Sequence, residues 1–278
     1  MTDVLINGLP GDAASEMAIS PLDRGLAYGD GVFRTLAVSG GKPEFWPQHM
    51  AKLAADCAAL GIPAPDAALL AADAQALLRG SGQAVLKIIV TRGVGGRGYK
   101  PPDAPTPTRI VMRAPWPAYT PEMATDGVAL RLCETRLGLQ PRLAGVKHLN
   151  RLEQVLARGE WTDPAIAEGL MLDSDGRVIE GVMSNLFVVK DGEVTTPDLT
   201  RCGVAGITRG LLLESARIAD LTLSELRGAD ELFLTNSLIG LWPVRQFDGT
   251  AFEIGPVTRR WAAALAKLRE KSRDEFPA

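Results

Sequence analysis

The chain has 278 residues but only three cysteines and two histidines. Cys57, Cys133 and Cys202 are odd in number and far apart. They neither frame a disulfide scaffold nor match zinc-ligand spacing, and they read as reduced thiols of a cytoplasmic protein. His49 and His148 are too few for a histidine-rich metal site or a Ser-His-Asp triad, so each reads as structural and no metal is expected. Basic excess is missing too: 30 Lys and Arg stand against 33 Asp and Glu, which speaks against nucleic-acid binding. No apolar run is long enough to span a bilayer, so no membrane partner is expected. The stretch Met1 to Gly8 lacks a basic segment followed by a long apolar core, so no secretory signal is expected. What is present is a globular profile, 46% hydrophobic and 23% charged, long enough for two modest domains.

Strand and helix patterns alternate along the chain. Asp3 to Ile6 reads as a strand turned by Asn7-Gly8. Residues 23–31 are glycine-rich and read as irregular. Phe33 to Val38 reads as a strand, with Ser39-Gly40-Gly41 as its turn. After Pro47, the apolar positions Met50, Leu53, Cys57 and Leu60 recur at helical spacing, and Gly61-Ile62-Pro63 ends that helix. Ala67 to Leu78 is a second helix. Ala84 to Thr91 and Arg109 to Met112 are strands.

Pro115, Pro117 and Pro121 prevent a helix and favour an extended connection. The expected division is a smaller N-terminal domain over 1–114, a linker over 115–121 and a larger domain over 122–278. The larger part opens with a strand, Val128 to Cys133, and a helix is expected from Leu149 to Trp161. Gly169 to Leu172 and Arg177 to Glu180 flank one turn; Leu186 to Val189 and Val194 to Thr196 flank another, at Asp191-Gly192. Ile207 to Ala219 reads as an amphipathic helix. Glu231 to Thr235 and Leu241 to Arg245 are strands, and the last helix runs from Pro256 to Arg273 before a polar tail expected to fray.

Gly93-Val94-Gly95-Gly96-Arg97-Gly98 fits G-x-G-x-x-G and follows a strand. A dinucleotide site needs that turn to open a helix, and Tyr99-Lys100-Pro101-Pro102 does not. The segment is left as a flexible loop bearing Arg92, Arg97, Tyr99 and Lys100. It is either a solvated loop or a rim that offers a guanidinium to a carboxylate.

Lys147 lies in Leu143-Ala144-Gly145-Val146-Lys147-His148-Leu149, flanked by apolar residues just before the expected helix. A partly buried lysine loses preference for its charged form, and its amine can form a Schiff base with a carbonyl such as that of pyridoxal phosphate. That cofactor needs an acid at its ring nitrogen and donors at its phosphate. Glu180, expected to share a strand face with Val178, is a candidate acid or an ordinary strand-end carboxylate. Gly203-Val204-Ala205-Gly206-Ile207-Thr208 lets the backbone approach a phosphate at a helix start. Thr235-Asn236-Ser237 is a second phosphate candidate or plain turn chemistry.

The order Glu180, Asn185-Leu186-Phe187, Val194-Thr195-Thr196, Val204 to Arg209 resembles the signature of the class IV pyridoxal-phosphate enzymes. That class includes branched-chain aminotransferases, D-amino-acid aminotransferases and 4-amino-4-deoxychorismate lyases. Val182 departs from it, standing where a small residue is usual. The stretches Leu137 to Leu156 and Thr91 to Tyr99 are similar to the aminodeoxychorismate lyase version, and Tyr28 to Phe33 to the wider class.

The resemblance implies fold type IV, an α/β architecture with an α+β N-terminal domain and a larger α/β pseudo-barrel domain. It implies a homodimer with pyridoxal 5'-phosphate between the domains. Lys147 would be the Schiff-base lysine and catalytic base, and Glu180 the ring-nitrogen partner. Ile207, Thr208, Thr235 and Asn236 would bind phosphate, with Lys52 in place of a usual arginine. Arg97, Tyr99 and Tyr28 would meet the small-molecule substrate. The implied reaction, in folate biosynthesis, splits aminodeoxychorismate into 4-aminobenzoate and pyruvate. The alternatives are a D-amino-acid or branched-chain aminotransferase, or a cofactor-free binding protein. The tyrosine usual just after the lysine of branched-chain members is missing here, where Asn150-Arg151-Leu152 stands.

Overall fold

The computed structural model describes residues 3–11 and 19–277. The chain forms two compact units: Met1–Pro117 with Lys147–Asn150 and Arg269–Ala278, and Ala118–Val146 with Arg151–Leu268. A single cut at 115–121 therefore does not separate them, because two later segments are built into the first unit.

The first unit contains β1 (Asp3–Ile6), β2 (Leu9–Pro10), α1 (Arg24–Tyr28), β3 (Gly31–Ser39), β4 (Lys42–Pro43), α2 (Trp46–Ala59), α3 (Ala67–Leu78), β5 (Gln83–Thr91) and β6 (Thr108–Ala114). Its sheet has the order β2-β1-β6-β5-β3-β4, and the pairs are antiparallel. α1 lies where an irregular stretch was expected. Asp23 caps it by accepting from the Gly25 N–H, and Gly29 stops it in the left-handed region at φ 64°.

Lys147–Asn150 also departs from expectation. Val32 bridges to His148, the Phe33 N–H donates to the Lys147 carbonyl at 3.0 Å, and the Leu149 N–H donates to Gly31 at 2.9 Å. These backbone groups are committed to the edge of β3, so the helix expected from Leu149 starts only at Leu152. The tail is held as well: the Phe45 N–H donates to Ser272 Oγ, and Phe276 packs edge-on against Trp46 at 5.0 Å.

The second unit contains α4 (Pro121–Thr125), β7 (Val128–Leu132), α5 (Leu152–Arg158), β8 (Ile166–Leu172), β9 (Val178–Gly181), β10 (Asn185–Lys190), β11 (Glu193–Pro197), α6 (Ile207–Leu212), β12 (Arg217–Ala219), α7 (Leu223–Arg227), β13 (Glu231–Asn236), β14 (Gly240–Phe247), β15 (Thr250–Ala251) and most of α8 (Pro256–Ser272). The helix expected over 207–219 ends early, because Arg217–Ala219 pairs in parallel with β11.

The sheet runs β12-β11-β10-β13-β14-β7-β8-β9, and β9 also pairs β10. Six strands thus close into a ring. Leu170, Leu172, Val178, Leu186, Val188, Leu232, Leu234, Trp242 and Val244 form one apolar cluster on the face that a small closed barrel fills with side chains. Cys133, Leu137, Ala157, Trp161, Met171 and Ile179 form another, on the face covered by α5.

Candidate active site

In the first unit, the α2 residues His49, Lys52 and Asp56 fall on one face at a spacing of three and four. On β3, Val32, Arg34 and Leu36 alternate inward and are all fully or almost fully buried. Arg34 is thus carried into the core by strand parity, and Asp56 meets it as an ion pair. Asp56 also pairs with Lys52 one helical turn away. Its Oδ2 accepts the backbone N–H of Lys147 at 3.2 Å. Lys147 is half-buried, with Nζ 4.7 Å from the centroid of the Phe33 ring.

Burial, then the charges of Arg34 and Lys147, pushes the Lys52 amine down to about 8. The same causes, in the same order, push His49 down to about 3 and leave it neutral. Burial lowers Arg34 to about 10 and raises the Cys57 thiol to about 11. Lys147 and Lys52 are therefore brought into one cluster. Arg34 and Asp56, which the sequence reading missed, organise it. The signal was available: an arginine two residues from core-facing Val32 and Leu36 needs a buried counter-ion.

The loop after β5 was expected to be flexible. It is tied down instead. The Arg24 guanidinium donates to the Gly98 carbonyl at 2.9 Å and the Tyr99 carbonyl at 3.0 Å, and lies 4.9 Å from the Tyr28 ring centroid. The Gly98 N–H donates to the Tyr28 hydroxyl, and the Tyr28 and Tyr99 rings are 5.3 Å apart. Arg97 and Tyr99 are exposed. Arg92 is buried and structural: it forks onto Asp30 and donates to the carbonyls of Leu60 and Gly61. Burial would raise Asp30, but hydrogen bonds from Arg92 and Arg24 outweigh it and hold the carboxyl below its usual range.

In the second unit, a register shift corrects the expected orientation of Glu180. Met171 faces Glu180, yet the next residue, Leu172, faces Val178. This bulge turns Glu180 to the face opposite Val178. Glu180, Asn185 and Thr235 are then directly paired across β9, β10 and β13, in one row on the same face. All three are buried.

Glu180 Oε2 accepts from the Val204 N–H at 2.9 Å and from Asn185 Nδ2 at 3.3 Å. Asn185 also donates to the Val204 carbonyl and accepts from the Gly206 N–H, so one amide clasps the loop that leads into α6. Gly145 and Gly203, both in the left-handed region at 74° and 84°, let this loop pair with the stretch before Lys147: the Gly145 N–H donates to the Gly203 carbonyl at 2.9 Å. Thr208, in the first turn of α6, is buried, and Ile207 beside it is half-buried.

The Thr235 hydroxyl is buried and makes no hydrogen bond to any described residue. Asn236 is different. Its Oδ1 accepts from the N–H groups of Leu238 and Ile239, and its Nδ2 donates to the Met183 carbonyl, so its side chain builds the turn. Asn185, quoted within the motif yet given no role, is the connecting residue of the row.

The residue types fit pyridoxal phosphate: the first unit offers a half-buried amine on Lys147, and the second, taken by itself, a buried carboxylate on Glu180 and a buried hydroxyl on Thr235 that no described residue hydrogen-bonds. Among the described residues, no group of three or more His, Cys, Asp or Glu side chains could hold a metal ion.

The fold and these residues place the chain in a family of known enzymes. The family described as Amino-transferase class IV matches residues 31–247, and the chain belongs to it. Within that family it is 40% identical over 266 residues to an aminodeoxychorismate lyase of Vibrio harveyi, covering 92% of this chain and 96% of that one. The crystal structure of 4-amino-4-deoxychorismate lyase from Pseudomonas aeruginosa superposes with a TM-score of 0.88 at 48% identity, over 95% of this chain and 98% of that one. A branched-chain aminotransferase from Thermoproteus uzoniensis shares the fold, with a TM-score of 0.84 at 20% identity over 99% and 96% of the two chains.

Proposed function

We propose that the chain is a pyridoxal-phosphate-dependent lyase that converts 4-amino-4-deoxychorismate to 4-aminobenzoate and pyruvate, a reaction of folate biosynthesis. The observation that carries this reading is the 48% identity to the Pseudomonas aeruginosa lyase over nearly the whole of both chains. The cofactor supplies an electron sink at the carbon that bears the substrate amine. Lys147 anchors it, and its amine then takes the proton from that carbon. The same amine returns a proton to the departing pyruvate fragment.

Glu180 would favour the protonated form of the ring nitrogen. Its support from the Val204 N–H and the Asn185 amide suits an ionised carboxylate. The N-terminal turn of α6, with Ile207 and Thr208, and the unpaired hydroxyl of Thr235 hold the phosphate. Asn236 shapes the adjoining turn through its side chain and contributes its backbone there. Lys52 adds positive charge as a point cation rather than a fork. Arg97, with Tyr99 and Tyr28 beside it, receives a substrate carboxylate.

The protein acts as a cytoplasmic homodimer in this reading. The exposed apolar residues Leu152, Val155 and Leu156 on α5 support a partner surface, and three free buried cysteines suit a reducing compartment. No described helix is long and apolar enough to cross a membrane.

The test is release of pyruvate and 4-aminobenzoate from aminodeoxychorismate, run beside transamination between D-alanine and 2-oxoglutarate. Equimolar release of both products, faster than transamination, is expected. Transamination without 4-aminobenzoate would assign the chain to the aminotransferase branch instead.

A further inference from the structure

Asp56 carries more than an ion pair with Lys52. It is 1% exposed and meets three donors: the Arg34 guanidinium, the Lys52 amine and the backbone N–H of Lys147. The Phe33 N–H holds the Lys147 carbonyl, so both backbone polar groups of this lysine are fixed by the β3–α2 layer.

The charges around Lys147 are unequal. Arg34 from β3 and Lys52 from α2 are cationic, and Lys87 from β5 lies 5.3 Å from the same Phe33 ring. His49 and Cys57 on α2 are neutral at ordinary pH. The Nε of Arg34 makes no hydrogen bond to any described residue, so its charge is balanced through Asp56.

We propose that Asp56 and Arg34 are positioning residues for Lys147: Asp56 fixes the lysine's backbone, and the balance between Asp56 and its cationic partners sets the pH at which the Lys147 amine becomes available. The inference rests on the reading of Lys147 as the anchoring lysine. Its physical basis is that a neighbouring cation disfavours the ammonium form and a neighbouring anion favours it. Removing Asp56 takes away the carboxylate that pairs with Arg34 and Lys52 and accepts the Lys147 N–H. Removing Arg34 takes away a cation instead.

The experiment uses the full-length, cofactor-free protein. Lysines are methylated with formaldehyde and cyanoborohydride across a pH series, and the rate at Lys147 is read by peptide mass spectrometry, which separates it from Lys52 and Lys87. Asp56→Asn is expected to lower the pH of half-maximal labelling at Lys147 by about one unit, and Arg34→Met to raise it by about one unit. Where Arg34→Met does not fold, Lys52→Gln takes its place, with the same upward shift expected.

Amide hydrogen exchange supplies a second reading: Asp56→Asn should speed exchange at the Lys147 N–H about tenfold. Midpoints that stay at the wild-type value, or that move in the same direction in both variants, overturn the proposal. Pyridoxal phosphate added to the wild type should protect Lys147 from labelling. Absence of that protection counts against the functional reading instead, whatever the variants do.

Discussion

In the first unit a buried arginine, Arg34, and a lysine, Lys52, are held by one carboxylate, Asp56. In the second unit the carboxylate Glu180 is held by a backbone N–H and a neutral amide. Both arrangements keep charge inside a fold, at different cost. An ion cluster ties each member to the others, so changing one charge changes its neighbours. Glu180 accepts its hydrogen bonds from neutral donors while interacting with the charges of Arg151 and Arg209.

The largest effect expected is on the first arrangement. On the proposed assignment of Lys147 as anchor and base, Lys147→Ala should lower product release at least about 10,000-fold. Residual activity within about tenfold of wild type would detach Lys147 from the chemistry.

The two units should also part company in their response to pH. His49 has its folded pKa near 3 against an ordinary 6.5, so the unfolded chain binds the proton between those values and stability rises with pH across that window. Glu168, on β8, is pushed up by burial to about 7 from 4.5, against the lowering effect of hydrogen bonds from the Gly169 N–H, the Ser184 hydroxyl and the Met183 N–H. Here the folded chain binds the proton, so stability falls with pH between 4.5 and 7. The Glu168 contribution is about 3 kcal/mol. Urea midpoints against pH should therefore lose the acid-side rise in His49→Gln and the fall toward neutrality in Glu168→Gln. Curves parallel to wild type in both variants would remove this contrast.

Glu180→Gln should cost about 100-fold in kcat with KM little changed, since the lost charge matters as the reaction proceeds. A loss confined to KM would reassign Glu180 to simple binding. Asn185→Ala is expected to cost about tenfold in activity, with about 1–3 kcal/mol of stability, by releasing the loop before α6. Unchanged urea stability would show that the amide does not hold that loop.

Much of this was legible in the chain. Hairpins at Asn7-Gly8 and Asp191-Gly192 declare themselves, because Asn-Gly and Asp-Gly suit a turn in which both residues take positive φ. The helix over Ala67–Leu78 follows from its Ala and Leu content and the Gly80-Ser81-Gly82 stop beyond it. What escaped depends on distant pairing. Residues 149–151 carry helical spacing, yet the edge of β3 claims the neighbouring backbone. Arg217–Ala219 continues an amphipathic pattern, yet β11 recruits it as a strand. The bulge that turns Glu180 arises from the register between β8 and β9, which no local pattern encodes. Lys147 and Glu180 stood out by motif, whereas Asp56 and Asn185 emerged only from the partners they hold.

The most direct measurement on the central claim is a peptide map of the pyridoxal-phosphate-loaded protein after borohydride reduction. A pyridoxyl group on the peptide that contains Lys147, absent in Lys147→Ala, is the predicted result. A pyridoxyl group retained on another lysine in both proteins would contradict it.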